Sequence, residues 1–206
     1  MSYDVLVIGG GPAGLSASIN VRARGRSALV VSNPLEENPL WRAEKVDNYL
    51  GLPGLSGAEM LAAMRRHAEQ AGVEFLAGKV LNAVQMPDAW YVSVGPDMYN
   101  ARAVVLAAGV ARGKKFAGEA ELLGRGVSYC ATCDGRTIPA EGVFILRPTM
   151  APTELFPGLA VEQGYVTVDR RMATNLPGLF AAGDGLIAGQ SAAAWAAAQE
   201  RREKQS

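Results

Sequence analysis

Three glycines near the N-terminus, in the pattern Gly9-x-Gly11-x-x-Gly14, restrict the fold more than any other feature of the chain. They follow an apolar run from Tyr3 to Ile8 that is typical of a buried strand, and a helix-like segment and a second apolar run come after them. In such a β-turn-α-β unit the first glycine permits a tight turn. The second lets the backbone approach a pyrophosphate, and the third lets the helix pack close to the sheet. The pattern therefore predicts a dinucleotide-binding turn.

A plain strand-to-helix turn remains the alternative interpretation, because glycine clusters are common in ordinary turns. The acidic residue that usually ends the second strand and binds the ribose is absent. Ser32 and Asn33 stand there instead. Either side chain is able to hydrogen-bond a ribose hydroxyl, so both are candidate cofactor-binding residues.

The rest of the chain predicts an α/β fold with a parallel sheet, flanking helices and a small antiparallel meander. The segment from Ser56 to Gly72 is predicted to be a helix with a Ser56–Glu59 capping box. The segments "EFLAGKVLNAVQ", "WYVSV" and "ARAVVLAAG" are predicted strands, of which the last is fully apolar. An alanine-rich helix is predicted from Gln190 to about Lys204.

Two predicted strands end in small residues, at Leu106–Gly109 ("LAAG") and Gly178–Asp184 ("GLFAAGD"). They are either core strands with glycine turns or places where the backbone approaches a bound dinucleotide. In the second interpretation Asp184 reaches the ribityl or phosphate region of that ligand.

The motif Cys130-Ala131-Thr132-Cys133-Asp134 is a candidate for redox chemistry. Its spacing places two sulfurs within reach of one disulfide, and Asp134 is a candidate general acid/base. Half of a zinc site is a weaker alternative, because there is no second Cys-x-x-Cys and the single histidine, His67, lies far away on a predicted surface. Two buried structural thiols are the other alternative.

Charge and hydropathy exclude several classes of function. The formal net charge is zero, and lysine and arginine form no long cluster, so a nucleic-acid partner is not expected. No apolar run approaches the roughly 20 residues that span a bilayer, and the first residues lack the features of a secretory signal. Both cysteines lie in one motif, so we expect a cytoplasmic protein without a membrane partner. The three tryptophans are predicted to be packing residues.

Four segments together, "VIGGGPAG", "EKVDNYLG", "GVSYCATCDG" and "LPGLFAAGDG", resemble the low-molecular-weight thioredoxin reductase family. The resemblance runs over nearly the whole chain. It implies an FAD-binding, Rossmann-like domain of the glutathione-reductase type, usually assembled as a homodimer. It also implies that FAD lies along the first β-turn-α-β unit and that a thioredoxin-like protein is the disulfide partner.

The resemblance assigns roles to individual positions. Cys133 is implied to be the sulfur next to the flavin, Cys130 the sulfur that attacks the partner disulfide, and Asp134 the proton donor. The implied FAD-binding residues are, for the pyrophosphate, Gly9, Gly11, Pro12, Ala13 and Gly14; for the flavin end, Leu40 and Asn48; for the adenosine side, Ala108 and Gly109; and for the ribityl chain and ring, Gly183, Asp184, Gln190 and Ser191.

The chain departs from the family pattern after the cysteine motif. In the family that segment enters a second, NADPH-binding domain with its own glycine fingerprint, whereas here "CDG" is followed by "RTIPAEGVFIL" and no second fingerprint exists. We therefore predict that the NADPH domain is missing between Gly135 and Gly142. The domain prediction is one FAD-binding domain, 1–206, with halves of about 1–128 and 142–206 joined by a connector at 129–141.

The segment "NPLWRAEKVDNYLG" resembles, more weakly, the branch of the family that takes electrons from ferredoxin instead of NADPH. A second departure is Gly185 after Asp184, where the family more often has cysteine or valine. The leading hypothesis is an FAD-dependent dithiol/disulfide oxidoreductase whose electron donor is not NADPH. An FAD-binding, dimerising module with little turnover is the alternative, and an NAD-binding dehydrogenase is a third, more distant one.

Overall fold

The computed structural model describes residues 2–109, 118, 121, 127–128, 143–144, 152–162, 165–182 and 185–204. The chain divides into two compact units. The first is Met1–Gly109 with Pro152–Ser206, and the second is Val110–Ala151.

The strands are β1 (Ser2–Ile8), β2 (Ala28–Ser32), β3 (Glu74–Ala77), β4 (Val80–Gln85), β5 (Trp90–Val94), β6 (Asp97–Leu106), β7 (Val127–Ser128), β8 (Val143–Phe144), β9 (Val161–Glu162), β10 (Tyr165–Val166) and β11 (Leu179–Ala181). The helices are α1 (Pro12–Arg22), α2 (Gly57–Gln70), α3 (Pro152–Leu155) and α4 (Leu186–Glu203), with two 3-10 turns at Leu35–Glu37 and Pro39–Arg42.

The first unit is built on a mixed sheet. Its parallel part has the order β3-β2-β1-β6, and β11 pairs in parallel with the carboxyl end of β6. Valines with no exposed surface, Val5, Val7, Val30 and Val105, lie in its central strands, which is why these runs are apolar throughout. The predicted α/β class with a parallel sheet is confirmed.

The predicted meander is present as β4-β5-β6, with antiparallel pairing throughout. Strand β6 belongs to both parts of the sheet, because Asp97–Ala101 pairs with β5 while Val104–Leu106 pairs with β11. The prediction of one strand over Glu74–Gln85 is wrong. The chain changes partners at Gly78, where φ is 159° and a Cβ would lie 2.7 Å from Cγ1 of Val94.

Helix α2 confirms the predicted capping box. The Ser56 hydroxyl accepts from the backbone N–H of Glu59, and the Glu59 carboxylate accepts from the backbone N–H of Ser56. Helix α1 ends at Arg22, three residues before Gly25. The N–H groups of Arg24 and Gly25 donate to carbonyls three residues back, which tightens the chain out of the helix.

Helix α4 begins at Leu186, four residues before the predicted start. Gly189 discourages a helix on propensity alone. Packing overrides that preference, because a Cβ at Gly189 would lie 2.3 Å from the carbonyl oxygen of Ala17 in α1. Along the same helix Ala188, Ala192 and Ala196 have no exposed surface. Small residues on both helices therefore bring the two backbones together.

Two tryptophans behave as predicted packing residues. Trp90 is buried, stacks edge-on against Phe156 with ring centroids 5.6 Å apart, and donates from Nε1 to the carbonyl oxygen of Pro177. Trp195 packs against the core.

The predicted surface position of His67 is confirmed. In the second unit, the described strands β7 and β8 pair in parallel. Among the residues that the structure describes, no helix has the length and hydropathy to cross a membrane.

Charged side chains tie the C-terminal helix to the amino ends of the strands. Asp4 in β1 accepts hydrogen bonds from the backbone N–H of Ser27 at 2.9 Å and from Arg102 in β6 at 3.1 Å. Arg102 also pairs with Glu203 of α4 at 2.8 Å. One turn earlier in that helix, Glu200 pairs with Arg26. This network lies at the opposite end of the strands from the glycine-rich turn.

The network predicts acid sensitivity of the fold. Hydrogen bonds from Lys204 and Arg26 lower the pKa of Glu200 to about 2. A carboxylate with a lowered pKa stabilises the folded state above its ordinary pKa, and this contribution is lost as the pH falls toward 2. We expect the Tm of the wild type to fall more steeply than that of Glu200→Gln between about pH 5 and pH 2, as measured by circular dichroism. Glu154→Gln, an exposed position in α3, is the control. Equal slopes for the wild type and Glu200→Gln would contradict the prediction.

Candidate functional site

The candidate site lies at the carboxyl edge of the parallel strands. From β1 the chain crosses to β2 on one side, while β6 lies against the other side of β1. Connections that diverge in this way leave a crevice outside the strand ends, where open α/β sheets bind ligands. The glycine-rich turn, Gly9–Gly14, occupies this point together with Ala107–Gly109 after β6.

Gly9 and Gly14 make the turn compact. Gly9 has a φ of 116°, and a Cβ there would lie 2.2 Å from the carbonyl oxygen of Ala107. A Cβ at Gly14 would lie 1.9 Å from the carbonyl oxygen of Gly9. Both obstacles are backbone atoms, which cannot move aside as a side chain can. The turn therefore accepts only glycine at these positions, in agreement with the roles predicted from the pattern.

Among the described residues, no side chain caps the N-terminus of α1. Its N-cap is Gly11, which forms no side-chain cap, the first turn holds no acidic residue, and Pro12 has no N–H. Helix α2, in contrast, caps itself through Ser56 and Glu59. The uncapped amides of α1 and the positive end of its dipole are suited to an anionic group such as a pyrophosphate.

A second helix begins at the same place. Helix α4 starts after Gly185, also with no side-chain cap and no acid in its first turn among the described residues. A Cβ at Gly185 would lie 1.7 Å from the carbonyl oxygen of Ala13. In this chain a side chain at position 185 would therefore collide with the backbone of α1. The first turns of α1 and α4 therefore lie against each other.

The two residues that end the second strand lie in different surroundings. Ser32 lies beside the turn, with its Oγ 2.7 Å from the place a Cβ of Gly10 would occupy. Asn33 is exposed and donates from Nδ2 to Glu37 at 2.9 Å. The structure thus brings Ser32 to the turn and holds Asn33 against a neighbouring carboxylate.

The segment after β2 brings Leu40 close to α2. A Cβ at Gly57 would lie 1.6 Å from the Leu40 carbonyl oxygen, so this segment packs tightly on the start of that helix. Asn48 is exposed in the loop closed by the Val46–Leu55 bridge. Within the described part of the chain, no hydrogen bond joins Asn48 to the glycine-rich turn.

Of the remaining predicted site residues, four are described by the structure and five are not. Ala108 and Gly109 are exposed directly after β6, and Gln190 and Ser191 are half-buried near the start of α4. Five predicted site residues lie outside the described residues: Cys130, Cys133, Asp134, Gly183 and Asp184.

Asn38 is a residue that sequence reasoning missed. Its Oδ1 accepts from the backbone N–H of Leu40 at 3.0 Å, and its Nδ2 lies 3.1 Å from the place a Cβ of Gly11 would occupy. The sequence indicates a turn here, since an asparagine directly before a proline is a common start of a turn, but it does not indicate the contact with Gly11. Among the described residues there is no group of three or more histidine, cysteine, aspartate or glutamate side chains that would hold a metal ion.

Comparison with known proteins also indicates a dinucleotide-dependent oxidoreductase family. A sequence model described as pyridine nucleotide-disulphide oxidoreductase matches residues 3–141. The thioredoxin reductase of Aquifex aeolicus is 38% identical over 147 residues, which cover 70% of this chain and 46% of that relative. The matched part thus spans less than half the length of that curated relative.

A longer alignment joins the chain to the thioredoxin reductase of Listeria innocua, at 26% identity over 272 positions that cover 88% of this chain and 85% of the relative. An alignment longer than a chain of 206 residues means that the relative has internal sequence for which this chain has no counterpart. A solved structure of a ferredoxin-flavin thioredoxin reductase from Clostridium acetobutylicum matches with a TM-score of 0.73 and 26% identity, and the match covers 100% of both chains.

Proposed function

Since the chain belongs to the pyridine nucleotide-disulphide oxidoreductase family, we propose that it is an FAD-dependent dithiol/disulfide oxidoreductase of the thioredoxin-reductase type. The observation that carries the proposal is the glycine-rich turn, where Gly9 and Gly14 pack against backbone atoms and the uncapped first turns of α1 and α4 lie against each other. This arrangement fits the pyrophosphate of a dinucleotide.

In this proposal each part of FAD has its own set of binding residues. The amides of Ala13 and Gly14 and the backbone of Gly11 would hold the pyrophosphate, and Ser32 would contact the ribose. Ala108 and Gly109 would line the adenosine side, while the proposed flavin-end contacts are Leu40, Asn48, Gln190 and Ser191, together with Gly183 and Asp184. When bound, FAD supplies two-electron chemistry at a thiol–disulfide pair.

The redox step is proposed for the cysteine motif. An electron pair and two protons convert the Cys130–Cys133 disulfide to two thiols. The Cys130 thiolate attacks the partner disulfide and forms a mixed disulfide, and Cys133 then displaces the partner as a dithiol and restores the Cys130–Cys133 disulfide. Asp134 would supply a proton to the departing thiolate.

The proposed donor is not NADPH. The chain contains one glycine fingerprint, and the longer relative has internal sequence that this chain lacks. The Clostridium acetobutylicum neighbour is named for ferredoxin, which supports a ferredoxin as donor and a thioredoxin-like protein as acceptor. A one-electron donor of this kind delivers the pair in two successive transfers.

An FAD-binding, dimerising module with little turnover is the second candidate. The match to less than half of the Aquifex aeolicus relative favours it, because this chain would then lack parts that the relative has. In both proposals a single FAD-binding domain is formed by 1–128 and 142–206, assembles as a homodimer and works in the cytoplasm.

An anaerobic titration tests the proposed function. The protein loaded with FAD is titrated with dithionite and, separately, with NADPH while the visible spectrum is recorded. We expect uptake of two electron pairs per flavin from dithionite, because the disulfide takes the second pair, and no rapid reduction by NADPH. Cys133→Ser, which removes the disulfide, is expected to take up one pair.

Each outcome decides between the two candidates. If the wild type also takes up only one pair, the cysteines do not communicate with the flavin and the protein is a binding module. Rapid reduction by NADPH contradicts the proposed loss of the NADPH domain. A protein that does not retain FAD contradicts both candidates.

A further inference from the structure

The side-chain amide of Asn38 has a fixed orientation. Its Oδ1 accepts from the backbone N–H of Leu40 at 3.0 Å and caps the 3-10 turn Pro39–Arg42. Because a backbone N–H only donates, the atom that faces it is the amide oxygen, and the NH2 group takes the opposite position. The protein itself therefore determines where the NH2 group points.

The NH2 group of Asn38 points at Gly11 in the glycine-rich turn. Nδ2 is the nearest atom to the place that a Cβ of Gly11 would occupy, at 3.1 Å. Among the described residues, no acceptor takes a hydrogen bond from this group. Asn38 is half-buried. It therefore presents two N–H donors to the turn.

Gly11 keeps the space beside this amide open. Its φ of −83° and ψ of −176° are extended values that any residue adopts, so the backbone does not require glycine here. A methyl group would instead crowd Nδ2 of Asn38. The space is bordered by the uncapped N-terminus of α1 on one side and by the Asn38 NH2 group on the other.

We propose that Asn38 is a further cofactor-binding residue, whose NH2 group donates a hydrogen bond to the pyrophosphate of the dinucleotide at the glycine-rich turn. The inference rests on the proposed function, because it requires a dinucleotide at this turn. A side-chain donor to a charged oxygen complements the backbone amides of α1, since charge-assisted hydrogen bonds are the stronger ones.

Asn38→Asp separates this role from a structural one. Aspartate keeps an oxygen for the Leu40 N–H and caps a helical turn as well as asparagine does, but it loses the donor and places a negative charge beside the phosphates. We expect the Kd for FAD to rise about 10- to 100-fold. The Tm of the apoprotein is expected to stay equal or rise, because a negative charge near the N-terminus of α1 is favourable.

Two further variants complete the test. Asn38→Ser keeps a capping oxygen without a charge, and we expect a smaller rise in Kd of about 3- to 10-fold. Asn82→Asp adds the same charge on exposed β4, away from the turn, and is expected to change the Kd by less than about twofold. Kd is measured by flavin fluorescence on the apoproteins, and Tm by circular dichroism.

The outcomes are distinct. If the wild type binds FAD and Asn38→Asp binds it within about twofold of the wild type, the assignment of Asn38 is wrong while the proposed function stands. An unchanged Kd for Asn38→Ser would show charge repulsion alone and would equally overturn the assignment, as would a parallel loss of apoprotein Tm and affinity in Asn38→Asp. A wild type that does not bind FAD overturns the proposed function itself.

Discussion

Gly9→Ala is expected to abolish FAD retention and to lower the free energy of unfolding by about 2–5 kcal/mol. Two costs combine at this position. The φ of 116° is unfavourable for alanine, and the new methyl carbon would lie 2.2 Å from the carbonyl oxygen of Ala107. That oxygen cannot move freely, because Ala107 is held next to β1 by its N–H bond to the Ile8 carbonyl at 2.8 Å. Either β1 or the end of β6 must shift, and with it the turn.

Gly25→Ala is the matched control for Gly9→Ala. Gly25 also has a positive φ, 70°, but a Cβ there would meet no atom within 4 Å. Only the backbone cost remains, so we expect a loss of about 1 kcal/mol and full FAD retention. Urea unfolding of the apoproteins and the flavin absorbance per protein after gel filtration measure both effects. Equal losses in the two variants would show that the contact with Ala107 is unimportant.

Gly189→Ala is the second substitution with a large expected effect. Two physical terms oppose each other here, and the unfavourable one is larger. Alanine is favoured over glycine inside a helix by about 1 kcal/mol. The added methyl, however, would lie 2.3 Å from the Ala17 carbonyl oxygen and 2.7 Å from its Cα. Overpacking of this kind costs about 1–3 kcal/mol, occasionally more, and we expect the upper part of this range because the obstacle is backbone. We expect a net loss of about 1–2 kcal/mol and weaker FAD binding, because α4 and α1 begin next to each other beside the glycine-rich turn.

Ala194→Gly is the control for Gly189→Ala. Ala194 is exposed on the same helix, so this change reports helix propensity alone, with an expected loss of about 1 kcal/mol and unchanged FAD binding. Chemical denaturation and flavin titration of both variants provide the comparison. A stabilised Gly189→Ala protein would mean that α1 and α4 are able to separate without cost.

Local sequence rules predicted the parts of the fold that depend on local interactions. The capping box at Ser56 and Glu59 is such a case, because all of its atoms lie within one turn of chain. The glycine pattern is also a local signal. A side chain at Gly9 or Gly14 would collide with a neighbouring backbone atom, so the turn requires glycine at both positions. The apolar run of β1 correctly indicated a strand buried on both faces.

The errors arose where distant segments decide. The start of α4 depends on contact with α1, which overrides the weak helix propensity of Gly189. The division between β3 and β4 at Gly78 depends on Val94, a residue of the next strand. Asn38 was missed because its importance comes from facing Gly11, and the spacing of the two residues in the sequence does not reveal that contact. The cysteine motif and Asp134 remain predictions from the sequence.

The pairing of β6 with β11 also bears on how the chain tolerates large insertions. The chain leaves the first unit after Gly109 and returns to it at Pro152, while Val104 and Leu179 lie in register across the two strands. Loop-closure entropy depends only logarithmically on the length of the excursion, so tripling that length would cost about 1 kcal/mol. A whole domain can therefore be gained or lost at this point in evolution with little thermodynamic penalty for the sheet that remains.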